Sequence, residues 1–139
     1  YQHDEIGYNY RLPNLNAALG CAQLEQLPTM LSAKQKLFKR YKTAFSVVDG
    51  IRLLEESQNC QSNYWLQTLL LENEVAYERD LILKTTNDAG FMTRPVWTLL
   101  HELTPFKECP HMNLEGGQSL SQQLINIPSS SSLVGSINE

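Results

Sequence analysis

The chain has 139 residues, of which 42% are hydrophobic and 19% charged, which is the composition of one ordinary globular domain. Its net charge of -4 predicts no basic face for nucleic acid or for an anionic membrane, so we expect neither as a partner. Apolar runs such as 65–71 are much shorter than the roughly 20 residues of a membrane helix, and we recognise no signal peptide, so a cytoplasmic protein is expected.

The first part of the chain predicts a loop and then helix. Residues 1–12 have no sustained period and predict a loop, whereas apolar residues recur at helical spacing after Pro13. Pro28 interrupts this pattern because its ring clashes with the carbonyl four residues back, so we expect two helices or one kinked helix within about 13–49. The stretch from 29 to 45 is amphipathic. Its basic residues predict a solvated surface with no function, and they are Lys34, Lys36, Lys39, Arg40 and Lys42.

The second part, about 50–139, alternates between strand and helix patterns. The predicted strands are 51–54, 63–71, 91–97 and 125–127, and the predicted helices are 75–89 and about 117–124. The strand at 63–71 is too densely apolar for simple alternation, so it should be buried on both faces. Gly90 lies where a left-handed helix cap would lie. The order predicts a single α+β domain over 1–139, with helices packed on a small, mainly antiparallel sheet.

Spacing alone predicts no catalytic motif. The three cysteines and three histidines lack the spacing of a disulfide framework or of a metal site, so we expect free thiols and no metal. Two polar and aromatic stretches could still line a cleft: residues 7–11 ahead of the first helix, and residues 93–101. Taken singly, Tyr8 or Arg11 is more often a cap or a surface hydrogen bond, while Trp97 or His101 is more often a structural residue.

Together these stretches resemble the DegT/DnrJ/EryC1/StrS family of sugar aminotransferases. The resemblance lies in residues 3–20 with 23–25, in Arg94-Pro95-Val96-Trp97 with 100–101 and 106, and in residues 125–130. It implies the C-terminal small domain of a type I aminotransferase that uses pyridoxal 5'-phosphate (PLP). The large domain, which would carry the lysine that holds PLP, is then expected upstream.

The resemblance also implies site residues. Family members act as homodimers with active sites at the interface, and Asn9 matches an asparagine that reaches the cofactor phosphate of the neighbouring subunit. By the same resemblance, Tyr8, Tyr10 and Arg11 should lie beside the cofactor or sugar nucleotide, with Trp97 and His101 on the substrate side. No lysine of this chain matches the family's cofactor lysine, so we expect no catalysis by the chain alone.

The implied reaction is transfer of an amino group from an amino acid such as glutamate to a nucleotide-linked keto sugar, for surface-glycan biosynthesis. One alternative is a sugar dehydratase of the same family, in which the cofactor lysine is replaced and PLP or its amino form stays noncovalent. Two others are a non-enzymatic module that binds sugar nucleotides and an interaction domain built on the 29–45 helix.

Overall fold

The computed structural model describes residues 3–8 and 11–135, in which three α-helices accompany a four-stranded sheet. The helices are α1 (Asn14–Phe45), α2 (Arg79–Asp88) and α3 (Glu115–Gln123). The strands are β1 (Ile51–Leu53), β2 (Gln67–Leu71), β3 (Arg94–Pro95) and β4 (Leu124–Ile127). Short 3-10 turns lie at Ala76–Glu78, Leu100–Glu102, Thr104–Phe106 and Ser131–Val134. The predicted α+β class is confirmed.

The sheet has the strand order β1-β2-β4-β3, and each neighbouring pair is antiparallel. In the centre, Leu69 of β2 pairs with Ile125 of β4, and both side chains are buried. The core joins these strands to Phe38 of α1 and, less deeply, to Ile82 and Leu83 of α2. Four of the five β2 residues are buried, which confirms the dense burial expected from the pattern.

Helix α1 does not divide into two helices, because its 32 residues run continuously through Pro28. A proline removes one backbone N–H and leaves the carbonyl four residues earlier without its usual donor, here that of Leu24. Leu24 is 66% exposed, and its neighbours are exposed too, so water can satisfy that carbonyl. None of the helices within the described ranges is long and apolar enough to cross a membrane.

The strand predicted at 63–71 begins only at Gln67, because the chain turns sharply before it. Tyr64 has a φ of 50°, a left-handed conformation that is uncommon for a residue with a side chain. Trp65, which follows it, is 66% exposed rather than buried in a strand. The segment preceding β2 therefore presents an indole to the surface.

The predicted 91–97 strand is reduced to the two residues of β3, because side chains replace the sheet hydrogen bonds around Thr93. Asn87 of α2 donates its amide to the Thr93 carbonyl at 3.0 Å, and the Thr86 and Thr93 hydroxyls are 2.6 Å apart. The helix predicted at 75–89 is a 3-10 turn followed by α2. Gly90, with a φ of 86°, ends it as predicted.

Candidate functional site

Trp97 lies just after β3 and packs its ring against Trp65, with ring centroids 5.8 Å apart and planes tilted by 33°. Trp97 is 50% exposed, so most of this aromatic pair faces outward instead of entering the core. Exposed indoles that are tilted in this way still present apolar ring faces on which another ring can stack. Trp97 and Trp65 thus form an exposed aromatic pair next to β3.

A groove of about 270 Å³, which we call the tryptophan groove, is lined by Leu66, Met92, Arg94, Trp97, Asn126 and Ser129, among others. The Arg94 guanidinium is oriented by the Asn87 side-chain oxygen at 2.9 Å and by the Thr93 carbonyl at 2.8 Å. On the adjacent strand, Thr68 donates its hydroxyl to the Asn126 side-chain oxygen at 2.9 Å. The groove thus combines one cation and an amide with aromatic and aliphatic walls.

Lys34 of α1 anchors the backbone beside this groove. Its Nζ donates to the carbonyls of Tyr64 at 3.0 Å, Trp65 at 3.3 Å and Ser129 at 2.7 Å. The expectation that Lys34 lies on a solvated surface is therefore wrong, whereas the other four basic residues of that stretch are exposed as predicted. Burial lowers the pKa of Lys34, because desolvation disfavours its charged form.

The neighbouring Tyr64 is held by aromatic and polar contacts. Its ring lies 4.9 Å from that of Phe38, measured between centroids. Desolvation raises the pKa of the Tyr64 phenol, and the negative charge of Glu56 and its side-chain hydrogen bond raise it further, with a smaller effect from Glu55. Tyr64 therefore stays neutral and links the core to an acidic loop.

His101 lies in a second, separate recess, lined by Leu99, Phe106, Cys109, His111 and Leu114 among others, with a volume of about 480 Å³. Its ring centroid lies 5.0 Å from that of His111, and its Nε2 is 3.4 Å from the Gln118 amide nitrogen. Trp97 does not line this recess, so the stretch from 94 to 101 serves two recesses rather than one. No group of three or more His, Cys, Asp or Glu side chains in the described ranges is arranged to hold a metal ion.

The N-terminal loop is only partly described, since Asn9 and Tyr10 lie outside the described residues. Tyr8, which is 73% exposed, and Arg11 are both at the surface ahead of α1. The start of the loop meets the second predicted stretch, because His3 and Asp4 line an opening of about 490 Å³ with residues of the 98–107 segment. His3 and Asp4 precede the predicted stretch at 7–11, so this opening joins the start of the loop, and not that stretch, to the 98–107 segment.

The chain's own donors fit one end of PLP. Phenol, amide and guanidinium groups around Asn9 suit the oxygens of a phosphate. Lys34 is occupied by three carbonyls, and the other five lysines of the chain are exposed, so none is enclosed in a way that would suit a covalent cofactor link. By donor chemistry alone, residues 8–11 would suit the phosphate of PLP, whereas no lysine of the chain is enclosed as a covalent link to its aldehyde would require.

Sequence reasoning missed His111, which lines the second recess, and it missed Trp65 and Lys34, which lie beside the tryptophan groove. Trp65 was assigned to a buried strand because the sequence gives no sign of the positive φ at Tyr64. The three carbonyls on Lys34 come from residues 30 to 95 positions away, which no local pattern reveals. His111 carries no signal beyond its distance of ten residues from His101.

Comparison with known proteins gives the family. The DegT/DnrJ/EryC1/StrS aminotransferase family matches residues 1–136. EpsN of Bacillus subtilis (strain 168), assigned as a pyridoxal phosphate-dependent aminotransferase, is 36% identical over 138 residues, covering 96% of this chain and 35% of EpsN. GDP-perosamine synthase of Escherichia coli O157:H7 is 33% identical over 133 residues, which cover 96% of this chain and 35% of that enzyme. The chain thus spans about a third of the length of these relatives.

The fold has a counterpart among solved structures. Helicobacter pylori PseC, an aminotransferase involved in the biosynthesis of pseudoaminic acid, superposes with a TM-score of 0.80 over 94% of this chain and 35% of PseC. Its sequence identity of 19% makes this a likeness of fold alone. The family follows from the match over residues 1–136 and from the 36% identity with EpsN. The chain belongs to the DegT/DnrJ/EryC1/StrS aminotransferase family.

Proposed function

We propose that the chain is the C-terminal small domain of a PLP-dependent aminotransferase that transfers an amino group from glutamate to a nucleotide-linked keto sugar. The observation that carries this proposal is the family match over residues 1–136, joined to 33% identity with a GDP-perosamine synthase. The proposed protein is a cytoplasmic homodimer that serves surface-glycan biosynthesis. Residues 1–139 form one domain of it, and the large domain lies upstream.

In this proposal the residues of the chain bind and orient the cofactor and the sugar nucleotide. PLP, when bound, supplies the electron sink for amino transfer. The Asn9 amide donates a hydrogen bond to a phosphate oxygen of the cofactor in the neighbouring subunit. Tyr8, Tyr10 and Arg11 flank it, and the Arg11 guanidinium pairs with anionic oxygens of the cofactor or sugar nucleotide. Their exposure in this chain, recorded for Tyr8 and Arg11, suits side chains that act on a second subunit.

On the substrate side, Trp97 offers an apolar face and His101 offers an imidazole ring. Gln118 and His111 flank the His101 imidazole and restrict its orientation. A ring nitrogen of His101 held in this way can exchange a hydrogen bond with a hydroxyl of the sugar. The wall of its recess is mainly apolar. The lysine that would hold the cofactor belongs to the upstream domain, so the chain alone should not catalyse transfer.

The test uses the full-length protein with glutamate and with UDP- and GDP-linked keto sugars, with amino-sugar formation followed by mass spectrometry. Asn9→Ala should weaken retention of PLP by roughly 10- to 100-fold, since a hydrogen bond to a charged group contributes about 1.5–3 kcal/mol. Gln61→Ala, which changes an exposed amide in the loop before β2, serves as the control and should retain PLP normally.

Two outcomes would contradict the proposal. Loss of a sugar hydroxyl without incorporation of nitrogen would instead identify a dehydratase. Binding of sugar nucleotides with no chemical change, whatever the amino donor, would identify a binding module.

A further inference from the structure

We propose that Trp65 belongs to the substrate site together with Trp97, and that Lys34 is the positioning residue that holds this pair beside the tryptophan groove, where a nucleobase stacks. The identity of the ligand as the nucleotide part of a sugar nucleotide rests on the proposed function. The arrangement of Lys34 and the two indoles does not rest on it.

Lys34 joins three segments that are distant in sequence. Its ammonium group lies between the carbonyls of Tyr64 and Trp65 in the loop before β2 and the Ser129 carbonyl after β4. The Ser129 hydroxyl also donates to the Trp65 carbonyl, at 2.8 Å. The Trp65 backbone is thus fixed by two donors from two different segments, which restricts where its side chain can go.

The backbone conformation at Tyr64 explains why Trp65 faces outward. The Tyr64 ring packs against Phe38, so the next side chain along the turn points away from the core and meets Trp97. A positive φ at a residue with a bulky side chain is strained and persists only where surrounding contacts hold it. The Lys34 ammonium group supplies such contacts to the two peptide groups that follow the Tyr64 Cα, namely Tyr64–Trp65 and Trp65–Leu66.

The surface that results suits a nucleobase. Two exposed indoles offer a π face, which every base can stack on regardless of its hydrogen-bonding edge. The neighbouring groove of about 270 Å³ can take a ring of that size, and Arg94 at its lining adds a positive charge for a phosphate. The pairing of indoles with one guanidinium therefore favours a nucleoside diphosphate over an uncharged sugar.

The experiment uses the full-length protein and compares Trp65→Leu, Lys34→Met and the control Lys39→Met with wild type. Lys39 is an exposed lysine of the same helix, so its substitution removes the same charge without touching the loop. Binding of GDP and of UDP is measured by calorimetry. The near-ultraviolet circular dichroism of each variant is subtracted from that of wild type, which isolates the signal that arises when the Trp65 and Trp97 rings couple, called the coupled indole signal.

At least one of the two nucleotides should bind wild type, and its dissociation constant should rise about tenfold in Trp65→Leu and in Lys34→Met, because a stacked aromatic is lost or displaced. It should stay unchanged in Lys39→Met. The coupled indole signal should disappear in Trp65→Leu and diminish in Lys34→Met at unchanged helix content. In steady-state assays the KM for the sugar nucleotide should rise while kcat changes little.

Unchanged nucleotide binding in Trp65→Leu, or no binding of either nucleotide by wild type, would overturn the placement of Trp65 whether or not the enzyme transfers amino groups. An indole signal in Lys34→Met identical to wild type would overturn the role of Lys34. If Lys34→Met does not fold, the same two measurements on Lys34→Gln replace it. Nucleotide binding that responds as expected, without amino transfer, would contradict the proposed function and leave this inference standing.

Discussion

Gly50, which precedes β1, and Gly90, which follows α2, form a matched pair of glycines for testing how closely Val75 packs against Gly50. Both have a positive φ, of 76° and 86°, so alanine at either position incurs the same kind of backbone strain. That strain costs about 1 kcal/mol for an L-residue in the left-handed region. The two sites differ in their surroundings, because a Cβ on Gly90 would meet no atom within 4 Å, whereas one on Gly50 would lie 3.0 Å from both methyl carbons of Val75.

We therefore expect Gly90→Ala to lower the free energy of unfolding by about 1 kcal/mol and Gly50→Ala by about 2–4 kcal/mol, the difference being the cost of overpacking. Val75 packs against the core and its N–H donates to the Glu72 carbonyl, so it cannot move away freely. The assay is equilibrium urea unfolding followed by circular dichroism.

A double-mutant cycle sharpens this test. Val75→Ala removes the two methyl groups that an alanine at position 50 would meet, so it should be less costly in the Gly50→Ala background than alone, by about 1 kcal/mol. Gly90→Ala should show no such coupling to Val75. Equal losses for the two glycine variants, or no coupling at position 50, would refute the described contact.

Three further outcomes follow from burial and hydrogen bonding. Leu71→Ala, at a fully buried β2 position, should cost about 3 kcal/mol in urea unfolding, whereas Leu81→Ala, at a position 61% exposed on α2, should cost about 0.5 kcal/mol or less. Thr93→Val should cost about 1–2 kcal/mol, because Thr93 is buried and its hydroxyl lies 2.6 Å from that of Thr86. Burial raises the pKa of Tyr41 above its ordinary value of 10.0, so the stability that its neutral phenol supports is complete below pH 10.0 and is lost as pH rises beyond it. Tyr41→Phe should lose less free energy of unfolding than wild type between about pH 9 and about pH 11, on either side of the ordinary tyrosine pKa.

Each of these expectations has a contrary result. Similar losses for the two leucine variants would mean that β2 is not central to the core. A neutral Thr93→Val would mean that the hydroxyl pair contributes nothing to holding β3 near α2. An unchanged alkaline loss in Tyr41→Phe would assign that loss to other groups.

Much of the fold follows from local signals in the sequence. The period of apolar residues locates α1, and the dense apolar run at 63–71 indicates a buried central strand, which the structure has at Gln67–Leu71. Gly90 ends α2 because a left-handed residue closes the last turn, with the Phe91 N–H donating to the Thr86 carbonyl at 2.9 Å. These features depend on neighbours within a few residues, which is why they could be predicted.

The departures from prediction arise from contacts between distant segments. Pro28 stays within α1 because its surroundings are exposed, and the start of β2 is shortened by a turn that Lys34 holds from another element. β3 is short because Asn87 and Thr86 bind Thr93 by side chains. A sequence pattern reports the propensity of a segment and not the donors that reach it from elsewhere in the fold.

The same contrast between local signals and contacts of distant segments applies to the candidate site. Trp97 and His101 were identified through a family resemblance, but the sequence could not reveal that they face two different recesses. The pairing of Trp97 with Trp65 depends on β3 and β2 both flanking β4, which is a property of the sheet order. Asn9 and Tyr10 lie outside the described residues, so their assigned roles stay predictions.

The central claim is that this chain is part of an enzyme that moves an amino group to a sugar nucleotide. The most direct measurement is the absorbance of PLP bound to the full-length protein during the two half-reactions. Glutamate should convert the cofactor to its amino form, and addition of the correct nucleotide-linked keto sugar should restore the original spectrum. A cofactor spectrum that glutamate leaves unchanged, or an amino form that no UDP- or GDP-linked keto sugar converts back, would contradict the account.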